Sequence, residues 1–309
     1  MSTLLRLRTT QRLKQLIMRD DQWQGLIKSR LEDPNGAAKA LKKRKRRRLI
    51  TDSQLFIVAA DHTARGMLGV GDDQFAMADR RKLLDALLIA LANPLVDGVL
   101  GSADVIDELA LLGALDNKLV FGTMNRGGIM GASWELNDRM TAYTPQDIAA
   151  RGLDGGKVLL RLADDDAGTG PTIEACAKAV TQMADLKLPI MVEPLPYTGG
   201  NGGPAKYIDD NDKLLRAVSI ASGLGSSSAY TWLKVPAGSQ VERMMAATTL
   251  PGLILGGTPG PDPEVTYTSW ERAMKVPNVR GLVVGRSLLF PKDGDVVGAI
   301  ARAARIVRP

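Results

Sequence analysis

The chain has 309 residues, a formal net charge of +6, and 45% hydrophobic residues, with one cysteine and one histidine. That apolar content supports a large core, and the length suits either two domains or one α/β barrel. The lone Cys176 excludes a disulfide framework and suits a reducing compartment, and the lone His62 argues against histidine-ligated zinc and metal-dependent aldolase sites, which take several imidazoles.

No apolar run reaches the length of a membrane span and the N-terminus lacks a signal-peptide pattern, so a soluble cytoplasmic protein without a membrane partner is expected. Residues 1–50 read as a basic helical extension, separate from residues 51–309. Leu4 to Leu31 spaces apolar residues among Arg, Lys and Gln, which predicts one or two amphipathic helices. Asp33-Pro34-Asn35-Gly36 breaks them. The run Leu41-Lys42-Lys43-Arg44-Lys45-Arg46-Arg47-Arg48 then supplies most of the net positive charge. Such a run can bind nucleic acid or an anionic membrane, or it can be a solvated helix face or pair with acidic surface in an oligomer. No aromatic residue interleaves it, so base stacking has no support and a nucleic-acid partner is not expected.

From residue 55 the pattern becomes strand, loop, helix, repeated. The predicted strands are 55–61, 96–101, 119–123, 157–162, 190–193, 231–235, 253–256 and 281–284. Their centres are short apolar runs without polar alternation, as in a parallel sheet buried on both faces. Helices are predicted over 79–92, 172–186 and 209–222, with another starting at Pro145. Cys176 falls in one of them and reads as core packing. Eight strands with intervening helices predict a (β/α)8 TIM barrel. A doubly wound open sheet is the alternative, but Ala59-Ala60-Asp61-His62-Thr63 follows the first strand where a dinucleotide fold places G-x-G-x-x-G.

In a barrel, active sites form at the C-terminal ends of the strands. Asp61 ends the first strand, Lys157 and Arg161 share a face of the fourth, Glu193 ends the fifth and Lys234 ends the sixth. Charges at the ends of apolar strands are costly unless they meet each other or a ligand. On Tyr230-Thr231-Trp232-Leu233-Lys234-Val235-Pro236, Trp232 and Lys234 point one way and Leu233 and Val235 the other. A lysine there either snorkels to the rim or sits in an apolar site, where burial lowers an amine's pKa from roughly 10.4 and makes it a Schiff-base nucleophile. His62, beside Asp61, either touches substrate or makes a polar loop contact.

Two loops after strands three and five are long. The first, 125–144, opens with Asn125 and Arg126 as candidate substrate contacts and also holds Glu135, Asp138 and Arg139. The second contains Gly199-Gly200-Asn201-Gly202-Gly203 and suits either a mobile lid or a passive loop. After strand seven come Gly256 and Gly257, and after strand eight Gly285 and Arg286, so backbone N–H groups and a guanidinium can gather around a phosphate.

These stretches resemble a known family. Ile57-Val58-Ala59-Ala60-Asp61-His62, Lys157-Val158-Leu159-Leu160-Arg161-Leu162-Ala163-Asp164, Leu233-Lys234-Val235-Pro236 and Gly281-Leu282-Val283-Val284-Gly285-Arg286 are similar to the class I aldolases of the DeoC/LacD/FbaB group. The nearest likeness is to the tagatose-bisphosphate branch and to barrels of that group associated with inositol catabolism. The resemblance covers roughly residues 55–292. It implies Lys234 as the Schiff-base lysine, Asp61 and Glu193 at the proton-transfer site, Lys157 as the strand-four lysine, and Gly257, Gly285 and Arg286 as phosphate binders. It also implies no metal, no cofactor, a phosphorylated small-molecule substrate and a homo-oligomer. The inositol likeness points to 2-deoxy-5-keto-gluconate 6-phosphate, cleaved to dihydroxyacetone phosphate and malonate semialdehyde, with Arg126, Arg139 or Arg161 holding the carboxylate. Arg161-Leu162 stands where the tagatose branch has tyrosines, and Gly256-Gly257-Thr258-Pro259-Gly260 replaces its serine-alanine-glycine pattern. A ketohexose-bisphosphate or sulfosugar-phosphate aldolase, or a non-catalytic sugar-phosphate-binding regulatory barrel, are the alternatives.

Overall fold

The computed structural model describes residues 17–49, 54–199, 204–257, 259–260 and 262–309. Eight parallel strands close into a (β/α)8 TIM barrel: β1 (Leu55–Ala60), β2 (Gly98–Gly101), β3 (Leu119–Thr123), β4 (Gly155–Leu162), β5 (Ile190–Thr198), β6 (Thr231–Pro236), β7 (Gly252–Leu255) and β8 (Val279–Val284). Each of these eight strands pairs with its sequence neighbour, β8 pairs with β1, and β4 pairs with β5, so the ring of eight is closed.

The alternation of apolar residues creates two cores. On β1, Leu55, Ile57 and Ala59 fill the barrel interior with Phe121, Met191, Trp232, Leu253 and Val283. Phe56, Val58 and Ala60 face outward into the layer shared with the helices. Trp232 falls in the inner core and Leu233 and Val235 in the outer, as strand alternation requires.

The outer ring comprises α3 (Arg80–Ala92), α4 (Ala103–Leu111), α5 (Pro145–Ala150), α6 (Thr169–Asp185), α7 (Asn211–Ser222), α8 (Val241–Met245), α9 (Pro263–Ala273), α10 (Arg286–Leu289) and α11 (Val296–Val307), after α1 (Asp20–Glu32) and α2 (Gly36–Lys43) of the N-terminal segment. Several starts are set by side-chain caps. Asp79 accepts from the Lys82 amide, Asp210 from Asp212 and Lys213, and Thr144 forms a capping box with Asp147. Cys176 is fully buried in α6. Among the described residues no helix is long and apolar enough to cross a membrane.

The basic run is anchored within this chain. The segment after α2 crosses the N-terminal end of the barrel, where Leu49 packs against the inner core. Arg44 pairs with Asp154 at 2.8 Å, with both side chains buried, and donates to the Lys118 and Gly152 carbonyls. Arg46 pairs with the other oxygen of Asp154. Arg47 and the C-terminal Arg308 both pair with Asp97, at 2.6 Å each. Lys42, Lys43, Lys45 and Arg48 remain exposed. The expected solvated or intermolecular face is thus in part an intramolecular clasp, because Asp97 and Asp154 precede β2 and β4 and have to be compensated where they are buried. The first half of the predicted helix 4–31 and the Gly200–Gly203 stretch lie outside the described residues.

β5 runs past Glu193 to Thr198, and Tyr197–Thr198 pairs antiparallel with the short strand Lys206–Tyr207. The short strand thereby lies beside the end of β5 and brings Tyr207 to the barrel mouth.

Candidate active site

A cavity of about 320 Å³ opens at the C-terminal ends of the strands, lined by residues from β1 and from β4 through β8 and by Arg126 of the loop after β3. At its floor the charged strand-end residues meet. Glu193 on β5 is the hub. One of its carboxylate oxygens lies 2.8 Å from Lys234 Nζ on β6, and the other is in contact with Lys157 Nζ on β4. Lys157 Nζ also lies 3.4 Å from Asp61 Oδ2, just past the end of β1, and Arg126 Nη2 lies 2.8 Å from the same oxygen. All five side chains are buried. Lys234 therefore sits not in an apolar site, as its strand suggested, but against a carboxylate.

The electrostatics follow from this packing. Burial pushes the Lys157 amine down to about 8, against the pull of Asp61 and Glu193. Burial would raise both carboxyls, but the cations prevail: Lys157 and Lys234 hold Glu193 at about 2, and Lys157 and Arg126 hold Asp61 well below the carboxylate range. His62 lines the cavity 3.9 Å from Asp61, and burial drops its imidazole to about 3, so it is neutral at physiological pH. Among the described lining residues Lys157, Lys234, Arg126 and Arg286 oppose Asp61 and Glu193, while Arg65 is matched by Asp138 at 2.6 Å. Two formal positive charges are left, which suits an anionic ligand.

The β7–β8 side forms a backbone cradle. Gly256, Gly257, Gly285 and Arg286 all line the cavity, and Arg286 Nη2 donates to the Gly257 carbonyl at 3.2 Å. Gly257 has φ +66°, and a Cβ on Gly285 would lie 2.3 Å from the Ala59 carbonyl oxygen and 2.9 Å from the His62 ring. Glycine is required at both positions, at the first by conformation and at the second by close packing.

The sequence pattern of one family, described as Cgl0159-like, matches residues 53–304, which span the barrel and this cavity. The chain belongs to the Cgl0159-like family. The crystal structure of Cgl0159 from Corynebacterium glutamicum is 49% identical, covers 94% of this chain and 98% of its own, and superposes with a TM-score of 0.91. An archaeal fructose 1,6-bisphosphate aldolase is 15% identical, covers 88% of this chain and 98% of its own, and has a TM-score of 0.62. A fructose-bisphosphate aldolase from Slackia heliotrinireducens is 13% identical, covers 94% and 92%, and has a TM-score of 0.56. A further archaeal fructose-1,6-bisphosphate aldolase, 16% identical with a TM-score of 0.62, was solved with its catalytic lysine covalently bound to a carbinolamine intermediate and covers 88% of this chain and 99% of its own. At these identities the aldolases share the class I aldolase-like barrel fold with this chain. No curated protein sequence matches it.

In this Cgl0159-like barrel the residues singled out from the sequence divide in two. Lys234, Glu193, Asp61, Lys157, Arg126, Gly256, Gly257, Gly285 and Arg286 all line the cavity. Arg161 and Asn125 do not. Arg161 is one turn of the pleat too high on β4: its guanidinium pairs with Glu135 at 2.5 Å, donates to the Gly128 carbonyl at 3.1 Å and stacks 5.7 Å from the Tyr197 ring. Asn125 spends its amide on the Leu159 backbone, donating to the carbonyl at 2.6 Å and accepting from the N–H at 2.8 Å. Both therefore brace the 125–144 loop rather than face a ligand. Arg139 is exposed.

Sequence reasoning passed over Arg65, Tyr197 and Tyr207, which line the same cavity. Arg65 sits in a 3-10 turn after β1 and is fully buried under the Gly128 and Asn125 carbonyls. No local pattern marks it. Tyr197 had a signal, since Glu193, Leu195 and Tyr197 alternate onto one face once β5 is allowed to run on. Tyr207 arrives with the hairpin, its ring 6.0 Å from that of Tyr197.

Proposed function

We propose that this cavity is the active site of a class I aldolase that cleaves a phosphorylated keto sugar, or keto sugar acid, to dihydroxyacetone phosphate and an aldehyde. The observation that carries the proposal is the Lys157–Glu193–Lys234 bridge facing the β7–β8 cradle in one pocket. A Schiff-base lysine must lose a proton before it attacks. Glu193 touches both amines, so it can take the proton that leaves Lys234 and pass it to Lys157 whenever that amine, held at about 8, is neutral.

With the phosphate on Gly256, Gly257, Gly285 and Arg286, the adjacent ketone carbon is placed against Lys234. Remote binding energy thereby positions the reacting centre. Lys234 Nζ adds to that carbon and water leaves, giving an iminium. A carboxylate, Glu193 or Asp61, removes the proton from the hydroxyl on the carbon that becomes the aldehyde. The carbon–carbon bond breaks, its electron pair enters the iminium, and an enamine forms. Protonation of the enamine carbon and hydrolysis by water return the ketone product and the free amine.

The sequence likeness to aldolases associated with inositol catabolism makes 2-deoxy-5-keto-gluconate 6-phosphate the first substrate to try. A ketohexose bisphosphate is the next. Two archaeal structural neighbours are fructose-1,6-bisphosphate aldolases, and one holds a carbinolamine on its lysine, which supports the Schiff-base class. The test is intact-mass spectrometry after incubation with dihydroxyacetone phosphate and borohydride. The expected result is one ketone-sized adduct, mapped to Lys234 and absent from Lys234→Ala. A folded wild-type protein without that adduct would sink the proposal.

A further inference from the structure

The loop that carries Arg126 is clamped on both sides of that residue. Arg65 stands on the 3-10 turn after β1, a few places beyond Asp61. Its guanidinium donates to the Asn125 carbonyl at 2.8 Å, before Arg126, and to the Gly128 carbonyl at 2.7 Å, after it. Its own carbonyl accepts from the Met130 amide at 3.1 Å. Asp138 completes the clamp, since one oxygen accepts from the Gly128 amide at 2.9 Å and the other pairs with Arg65 at 2.6 Å. The packing leaves no space for a side chain at Gly128, where a Cβ would run into the Glu135 carbonyl oxygen and the Arg161 guanidinium. Arg65 is 1% exposed, so water does not compete for these bonds.

We propose that Arg65 is a positioning residue for the aldolase reaction: by fixing the peptide on either side of Arg126, it keeps the Arg126 guanidinium on Asp61. This rests on the aldolase reading of the cavity and says how one of its carboxylates is kept ready. Arg126 Nη1 donates to the Asp61 carbonyl at 3.1 Å, and Nη2 lies 2.8 Å from the Asp61 carboxylate. A long side chain keeps such a geometry at low entropic cost only when its backbone is already ordered. The charge on Asp61 depends on that contact. The groups that face Asp61 are Arg126, Lys157 on β4 at 3.4 Å, the neutral His62 imidazole at 3.9 Å and Lys234 on β6. Glu193 on β5 draws on the same Lys157. With Arg126 displaced, only this shared ammonium stays in contact with a carboxylate that burial pushes towards its protonated form. Asp61 would then give up its charge, its hold on Lys157 and its capacity as a base.

The test is an NMR titration of the full chain labelled at the aspartate carboxyl carbons, with the Asp61 signal assigned by its loss in Asp61→Asn. In the wild type Asp61 is expected to stay ionised to below the ordinary carboxylate range. Arg126→Met raises its midpoint by about one to three pH units, the effect of losing one close opposite charge. Arg65→Met raises it in the same direction and Arg65→Lys by less. The double variant rises no further than Arg126→Met alone, because the two side chains act in series. Deuterium uptake from heavy water into dihydroxyacetone phosphate, which is reached through the iminium on Lys234, has an acid limb that moves with the midpoint. A midpoint that the Arg65 variants leave unmoved, effects of Arg65 and Arg126 that add, or an acid limb that does not follow the midpoint each overturns the proposal. Arg65→Lys keeps a charge opposite Asp138 and decides the matter if Arg65→Met fails to fold. Borohydride trapping on Lys234 is run alongside. Its failure in the wild type overturns the aldolase reading, while the titration still decides whether Arg65 holds Arg126 on Asp61.

Discussion

The residue with the most leverage is Lys157, because it shares the Glu193 carboxylate with Lys234. Burial holds it at about 8 against an ordinary 10.5. Below that value it is charged and pins Glu193; above it, it can take a proton from Lys234 through the shared carboxylate. The rate of dihydroxyacetone phosphate trapping on Lys234 is therefore expected to rise as pH passes through about 8, and Lys157→Met should abolish that step in a stopped-time borohydride assay. The linkage has a definite sign. Between about 8 and 10.5 the unfolded chain holds a proton that the folded chain has released, so the Lys157 contribution to stability grows with pH across that window. Glu193→Gln keeps the shape but removes the base and the bridge, and turnover should fall by roughly 10²- to 10⁴-fold with little change in fold by circular dichroism. These residues were legible in the sequence because each is a charge carried by an otherwise apolar strand. That Glu193 touches both lysines was not, because the contacts span 36 and 41 positions along the chain.

At the scale of elements, the 125–144 loop is held by a buried ionic set instead of by its own secondary structure. Arg161 pairs with Glu135 and reaches Asp138, while Arg65 pairs with Asp138 from the other side. Arg161→Met would leave Glu135 buried without its partner, a loss of about 3–5 kcal/mol by analogy with other broken buried pairs. Urea denaturation should register that loss, and KM should rise because Arg65 and Arg126 are positioned by the same loop. The cradle has a different weak point. Gly285→Ala would drive a methyl into the Ala59 carbonyl, so the phosphate protection against thermal unfolding expected of the wild type should vanish in this variant. A glycine after a strand is visible in any sequence, but the carbonyl it must clear belongs to β1, at the other end of the chain.

For the whole molecule, the basic N-terminal segment acts as a closure of the barrel floor. Asp97 accepts from the Phe56 amide at 2.7 Å and pairs with Arg47 of the basic run and with Arg308 after α11. Asp97→Ala orphans that amide while its arginines, about a third exposed, can turn to water, so a loss of about 1–3 kcal/mol is expected in chemical denaturation. Removing residues 1–49 strips Arg44 and Arg46 from the buried Asp154 as well. The truncated barrel should melt at lower temperature than the full chain, in contrast to what loss of a solvated tail would do.

The sequence by itself determined the barrel, since apolar runs at regular spacing admit few other closures, and it determined which strand ends carry charge, since strand alternation assigns each residue a face. Only the tertiary structure decided what those charges meet. Arg161 and Asn125 stand in the same stretches as Lys157 and Arg126, yet they brace a loop while the other two face the cavity. The basic run clasps aspartates of its own chain where composition offered a nucleic acid or a neighbouring copy. The reason is physical in each case. Burial of an apolar face is a property of local pattern, whereas the partner of a buried charge is whichever opposite charge the closed ring brings within a few ångströms, and that is set by pairings between distant strands.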